Sequence, residues 1–264
     1  MSELIITHNS GFFSCCSVKL YNIINFFNTH KRLPESINSS FQFASYKINP
    51  HDPNEDLNPI LFKEIQNYNI EFVKEINYHH NHQFTVYNEL DFKNITPFIH
   101  KYFSLSDTIK AYNKKLEEKY NIEYDNTVSV FYRGNDKLSE TGIATYAEFF
   151  TKCQQIYNKN KHIKFLIQTD EMEFRDEFQQ NFKNSFFFEE MPCIYSNRSI
   201  ALQHVISPDQ RHKFAQRVLS VTSIVSQCKH LVTHTGNCSI WATLLRGNAI
   251  NVHQYLMHPD QGWV

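Results

Sequence analysis

Val128-Ser129-Val130-Phe131-Tyr132-Arg133-Gly134-Asn135-Asp136-Lys137 decides how the chain is read. Residues 128–132 are β-branched, small or aromatic and predict a strand. An arginine, a glycine and a polar turn follow at once. In open α/β sheets ligands gather at the carboxyl ends of strands, so that turn is a candidate site as well as a fold signal.

Downstream, strands and helices alternate. The spacing predicts a helix over 145–157, a strand over 164–169 ending at Asp170, a helix over 171–182 and a short strand over 185–188. A long helix over 210–228 precedes a strand over 230–233. A helix over 237–246 follows, with Asn237 as its cap and Gly247-Asn248 as its end. A last strand is expected over 249–252. Upstream, Ser106 and Asp107 open a helix running to 119, with a good N-cap and an acid in the first turn.

The amino-terminal half has the same style. A strand over 4–7, a turn ending at Gly11, a helix over 14–29 stopped by Arg32-Leu33-Pro34, and an alternating stretch over 41–46 read as one βαβ unit. Residues 49–59 read as a loop, 60–104 have no clear periodicity, and 97–102 open a linker to the second half. The fold class is therefore α/β with a parallel sheet, divided into residues 1–104 and 105–264.

Composition narrows the function. Lys and Arg number 26 against 27 Asp and Glu, a net charge of -1, which excludes binding to nucleic acid or an anionic membrane through overall charge. Mean hydropathy is -0.47, and no apolar run approaches the roughly 20 residues of a membrane span. The first residues carry an acid where a signal peptide carries Lys or Arg, and read as a strand. With no Cys-x-x-Cys pair among Cys15, Cys16, Cys153, Cys193, Cys228 and Cys238, free thiols in a reducing compartment are expected, hence a cytoplasmic protein. Abundant Asn, Lys, Ile, Phe and Tyr follow AT-rich codons, so the Asn content is not a prion-like tract.

Three strand ends offer chemistry. Arg133 followed by Gly134 can approach a phosphate in bidentate fashion, with Asp136 holding the arginine, or the segment is a plain turn with a surface ion pair. Thr233-His234-Thr235-Gly236-Asn237-Cys238-Ser239-Ile240-Trp241 joins a strand to a helix start whose N–H groups suit an anion; equally, Asn237 caps and Trp241 packs. Thr169-Asp170-Glu171 puts an acid where it binds ribose or a base edge, or caps the next helix. His79-His80-Asn81-His82 lacks a cysteine or carboxylate at ligand spacing, and no metal site is expected. Gly-x-Ser-x-Gly, Walker A and Gly-x-Gly-x-x-Gly patterns are absent.

Together these pieces resemble the fucosyltransferase superfamily of α1,2-, α1,6- and protein O-fucosyltransferases. Residues 128–137 resemble its V-H-V-R-R-x-D-K motif, and 166–171 the strand ending in T-D-D or T-D-x. Residues 196–204 resemble its loop with a Ser and a downstream Leu-His, and 217–247 its closing helix, strand and S-x-x-S-x-W-A-x-L. Order and separation agree over about 105–250, and Gly11 matches the glycine of the first turn in style.

The resemblance implies a GT-B-like fold: two Rossmann-like domains facing a cleft, the amino-terminal acceptor-side one reduced and the carboxyl-terminal one holding the donor. It implies an inverting glycosyltransferase without a metal cofactor that moves fucose from GDP-fucose to a glycan or glycoconjugate hydroxyl. The partners are then a nucleotide sugar and that acceptor, with no nucleic acid and no transmembrane segment. Arg133 carries over as the group for the pyrophosphate and Glu140 as the base. Asp136, Lys137, Asp170, His204, Ser220, Thr235, Gly236, Asn237, Cys238, Ser239 and Gly11 carry over as substrate-binding. The chain departs at Gly134, where the family has a second arginine, at Phe131 in place of a histidine, and at Ser220 in place of the guanine-binding acid. A non-catalytic nucleotide- or glycan-binding protein on the same scaffold, or a transferase using another nucleotide sugar, are the competing expectations.

Overall fold

Glu3–Ile5 (β1) leads into Phe12–His30 (α1), which returns the chain to Ser36–Asn38 (β2) in a computed structural model describing residues 3–52, 54–139, 142–195, 201–257 and 262–264. β1 and β2 pair in parallel with Leu4 opposite Ile37, so the expected βαβ unit is present. Its second strand lies earlier than the alternation at 41–46 suggested. Phe43 and Tyr46 are buried three residues apart, Phe43 takes a left-handed φ of 64°, and Ala44–Tyr46 is a 3-10 turn. Three-residue spacing of buried rings is the period of a 3-10 turn, not of a strand.

Asn58–Leu61 (α2) and Phe92–Tyr102 (α3) occupy the stretch without clear periodicity. Pro97 lies inside α3 rather than opening a linker. Proline there removes one helical hydrogen bond. Burial of Ile95, Phe98, Ile99 and Tyr102 on one face offsets that loss. Asp107–Tyr120 (α4) follows, capped as expected by Ser106, whose Oγ accepts from Ile109 N at 3.3 Å.

Thr127–Tyr132 (β3), Tyr146–Lys159 (α5), Lys164–Thr169 (β4), Met172–Asn181 (α6) and Ser185–Phe187 (β5) continue the alternation. Leu202–Val205 (α7), Arg211–Gln227 (α8), His230–His234 (β6), Asn237–Arg246 (α9), Val252–Leu256 (β7) and Gly262–Trp263 (β8) complete it. The main sheet runs β5-β4-β3-β6-β7-β8, parallel except for β8 against β7. The chain grows one way from β3 through β4 to β5, then restarts at β6 on the other side. β3 and β6 thus flank the switch point where open α/β sheets bind ligands.

The last long strand falls at 252–256 rather than 249–252. Asn251 sits at φ 58° and Ile250 is exposed, so pairing starts only at Val252 opposite Leu231.

Both faces of the sheet are covered. Val128, Val130, Tyr132, Phe165, Ile167 and Val232 face α5 and α6 with Phe149, Cys153, Phe174 and Phe178. Phe131, Leu166 and Leu231 face the other way, into a core with Phe214, Leu219, Ile224, Ile240 and Trp241. That second core continues into α1, α3 and α4 without a break at residue 104. Trp241 is its pivot: fully buried, 5.9 Å from the Phe13 ring and 4.8 Å from that of Phe103, with Nε1 donating to Ser17 Oγ at 2.8 Å. Among the described residues no helix is long and apolar enough to cross a membrane, and all six cysteines are free.

Candidate functional site

A cavity of about 260 Å³ opens at the carboxyl ends of β3, β4 and β6. It reaches from Arg133 and the α9 start to α8, and it takes in the start of α1.

Arg133 leaves β3 just past the sheet edge. Its backbone N donates to His234 Nε2 at 2.9 Å, tying the ends of β3 and β6 together. Nε donates to Asp170 Oδ2 at 2.7 Å, Nη2 to Asp136 Oδ1 at 2.7 Å and Nη1 to Cys238 Sγ at 3.5 Å. A guanidinium has five N–H donors, so two remain for a ligand. Burial works against its charge, and Asp170 and Asp136 more than offset that, so the guanidinium is held protonated. Asp136 holds the arginine as the sequence suggested. Asp170 does the same, and also accepts from Gly134 N at 3.0 Å. Asp170 therefore neither caps α6 nor stands free for ribose.

His234 is buried and neutral, its pKa pushed down to about 4 by burial. Nδ1 lies 2.8 Å from Thr235 O and so carries the proton, leaving Nε2 to accept from Arg133.

The β6–α9 turn depends on Gly236. Its φ of 150° suits glycine, and a Cβ there would lie 3.1 Å from Lys137 Cε. Gly236, not Asn237, is the N-cap of α9, and it has no side chain to cap with. Asn237 Oδ1 instead accepts from Ser17 Oγ at 2.8 Å, extending the Trp241–Ser17 link. The N–H groups of Asn237, Cys238 and Ser239 have no hydrogen-bond partner among the described residues, as the first turn of an uncapped helix leaves them. α1 also starts at a glycine with no side chain to cap with, but its first N–H, that of Phe12, donates to Tyr46 Oη at 3.0 Å; Gly11 to Ser14 line the cavity. Two uncapped helix starts and two cations, Arg133 and Lys137, thus border one space. Such a place attracts a polyanion.

Toward α8 the cavity becomes apolar. Phe131, Phe214, Val218 and Val221 form its walls, with Gln168 and Thr222 among them.

The expected residues divide accordingly. Arg133, Asp136, Lys137, Asp170, Gly11, Gly236, Asn237, Cys238 and Ser239 line the cavity. The Ser239 hydroxyl is engaged with Thr233 Oγ1 at 2.6 Å. Thr235 is buried behind the turn, its hydroxyl donating to Tyr255 O at 3.2 Å. Ser220 is buried within α8 and does not line the cavity, because Val218, Val221 and Thr222 are the turn that faces it. His204 points to solvent on α7, where its neighbours Leu202 and Gln203 reach the cavity. Glu140, and residues 196–200 of the expected loop, lie outside the described residues. The histidines at 79–82 shape a 3-10 turn: His79 Nδ1 accepts from Asn81 N, and His82 Nδ1 accepts from His79 N.

Sequence reading missed Ser17, Tyr87 and Gln168. Tyr87 OH lies 3.1 Å from both the N and O of Gly236, fixing the turn from a distant segment. Only Gln168 carried a local signal, a polar residue in an otherwise apolar strand.

No protein-family model matches the sequence, and no curated protein sequence does. Solved structures do match. Fucosyltransferase NodZ from Bradyrhizobium superimposes with a TM-score of 0.62 at 12% identity over 96% of this chain and 95% of that one. NodZ α-1,6-fucosyltransferase co-crystallised with GDP gives 0.61 at 11% identity over 96% and 94%. The same enzyme soaked with GDP-fucose gives 0.61 at 10% identity over 100% and 98%. At such identity the likeness establishes a fucosyltransferase-like fold over essentially the whole chain.

Proposed function

We propose that the protein is a glycosyltransferase, inverting and without need of a metal, that transfers fucose from GDP-fucose to a glycan or glycoconjugate hydroxyl. The observation that carries this reading is the convergence of Arg133 and the unpartnered N–H groups of α9 on one cavity at the β3/β6 switch point. The GDP and GDP-fucose complexes of the similar NodZ structures support the donor. In this reading residues 105–264 are the donor-side domain of a GT-B-like pair, residues 1–104 the reduced acceptor-side domain, and the protein is cytoplasmic.

The acceptor oxygen attacks the anomeric carbon as the bond from that carbon to the diphosphate oxygen breaks. Negative charge then grows on the diphosphate. Two free Arg133 donors, Lys137 and the helix start are already in place to meet it, where each such donor is worth roughly a hundredfold in rate. The acceptor proton passes to a base, for which Glu140, three residues after Lys137 in the sequence, is the assignment.

A binding-only reading has one observation in its favour. The cavity carboxylates Asp136 and Asp170 are both engaged with Arg133, so neither is placed as a free base. Release of sugar from GDP-, UDP- and dTDP-sugars, with and without glycan acceptors, tests both. Turnover of GDP-fucose supports the transferase; tight GDP binding with no turnover of any donor supports the binding protein.

A further inference from the structure

Gln168 is 6% exposed and Thr222 is 2% exposed, and both line the cavity. Neither side chain has a hydrogen-bond partner among the described residues. Their polar ends are not sealed in the core but open onto the cavity, where a ligand can pair with them. Its strand neighbour on the same face, Phe131, is apolar, as are Phe214, Val218 and Val221 opposite. A polar pair set in an apolar slot, beside an anion site, has the chemistry of a nucleobase pocket. Gln168 lies two strand residues before the Arg133–Asp170 level, roughly 7 Å along the strand. A ribose spans about that separation between base and diphosphate.

We propose that Gln168, with Thr222 beside it, reads the base of the bound nucleotide, and that the pair makes the site tolerant of base identity. The inference rests on the nucleotide-sugar reading above. An amide presents a donor next to an acceptor and can turn over to present them in the opposite order. Guanine and uracil show an N–H beside a carbonyl; adenine and cytosine show an amino N–H beside a ring nitrogen. One orientation of Gln168 fits the first pair and the flipped one fits the second. The Thr222 hydroxyl is equally ambivalent, being donor and acceptor at once. A carboxylate, which only accepts, would select guanine's adjacent N1–H and N2–H₂. The carboxylates that line this cavity, Asp136 and Asp170, are held at the other end by Arg133.

Calorimetric titration tests this with GDP, UDP, ADP and inorganic pyrophosphate on the wild type, Gln168→Leu, Gln168→Glu, Thr222→Val and Arg133→Ala. The wild type is expected to bind the three nucleotides within roughly tenfold of one another. Gln168→Leu weakens all three roughly fivefold, the worth of one hydrogen bond, and leaves pyrophosphate unchanged. Gln168→Glu tilts the preference toward GDP over UDP by roughly tenfold, since a charged acceptor strengthens only bonds to donors. Thr222→Val, isosteric and on a different element, weakens the nucleotides by a few fold and carries the test if the Gln168 variants fail to fold. The inference falls alone if nucleotides bind, Arg133→Ala abolishes them, and the Gln168 and Thr222 variants match the wild type. It also falls if the wild type prefers one base by more than a hundredfold. If no nucleotide binds the wild type at millimolar concentration, the glycosyltransferase reading falls with it.

Discussion

Two pairs of helices in this protein start in contrasting ways. α4 and α5 are capped by their own side chains: Ser106 Oγ takes Ile109 N, and Thr145 with Glu148 forms a reciprocal box at 3.3 and 2.7 Å. α1 and α9 start at glycines, which have no side chain to cap with, and both open onto the same cavity. The capped starts complete themselves. α9 leaves the N–H groups of its first turn for something outside the chain, while at α1 Tyr46 Oη already takes that of Phe12. Where a fold leaves a helix start bare inside a cavity, and surrounds it with cations, a ligand anion supplies the cap.

The link between the bare starts is the strongest place to break this contrast. Trp241→Ala removes the ring that packs α9 on α1 and strands the Ser17–Asn237 relay; it is expected to destabilise the fold by about 3–5 kcal/mol, read by urea unfolding. Arg133→Ala costs stability as well, because it strands the buried Asp170 carboxylate, and in the protein that still folds it lowers transfer about a hundredfold or more, on the order of 3 kcal/mol in the barrier. Wild-type turnover in that variant would remove the donor site from this cavity.

Acid tests the histidine behind the arginine. His234 has a folded pKa of about 4 against 6.5 for an unperturbed histidine. The unfolded chain therefore takes up its proton first. The stability due to the neutral ring is fully present above pH 6.5 and is lost as pH falls toward 4, a decline of about 3 kcal/mol. Unfolding measured from pH 7 to 4 should show that slope, and His234→Asn should flatten it. At the capped starts, Thr145→Ala is expected to lose about 1 kcal/mol of stability while transfer is unchanged. The smallest effect is expected from EDTA. If Arg133, Lys137 and the bare helix starts supply the positive charge, chelation leaves the rate where it was; a strict divalent-ion requirement would assign that charge elsewhere.

Legibility followed the range of the interactions. β3, β4, α5, α6, α8 and α9 were readable because each is specified by local periodicity, helped by the Thr145–Glu148 box at α5 and the Gly247 stop at α9. β7 was misplaced because Gln254, a polar residue in mid-strand, accepts from Tyr87 N at 2.9 Å and donates to Thr85 O, partners more than 160 residues away. α3 was missed because Pro97 speaks against a helix locally, while its justification is burial against the rest of the core. At the site, Arg133, Asp136 and Gly236 were legible as strand-end residues. Ser220 and His204 were placed by motif alignment, and a shift of one or two positions on a helix turns a side chain away from the cavity. The Ser17–Asn237–Trp241 relay joins positions 220 or more residues apart, and no local pattern announces it.

Gly134 carries a consequence for how this site can change over generations. A Cβ there would meet the Glu171 carboxyl group at 2.0–2.3 Å, and Glu171 is itself buried and accepts from Tyr146 OH at 2.6 Å. The two positions are coupled like teeth of a ratchet. A single substitution that adds a side chain at Gly134 collides with the Glu171 carboxyl group. Shortening Glu171 first opens the path, but that intermediate leaves the Tyr146 hydroxyl without its acceptor. A side chain at position 134 is thereby tied to a change at 171, whereas other positions lining the cavity can change singly.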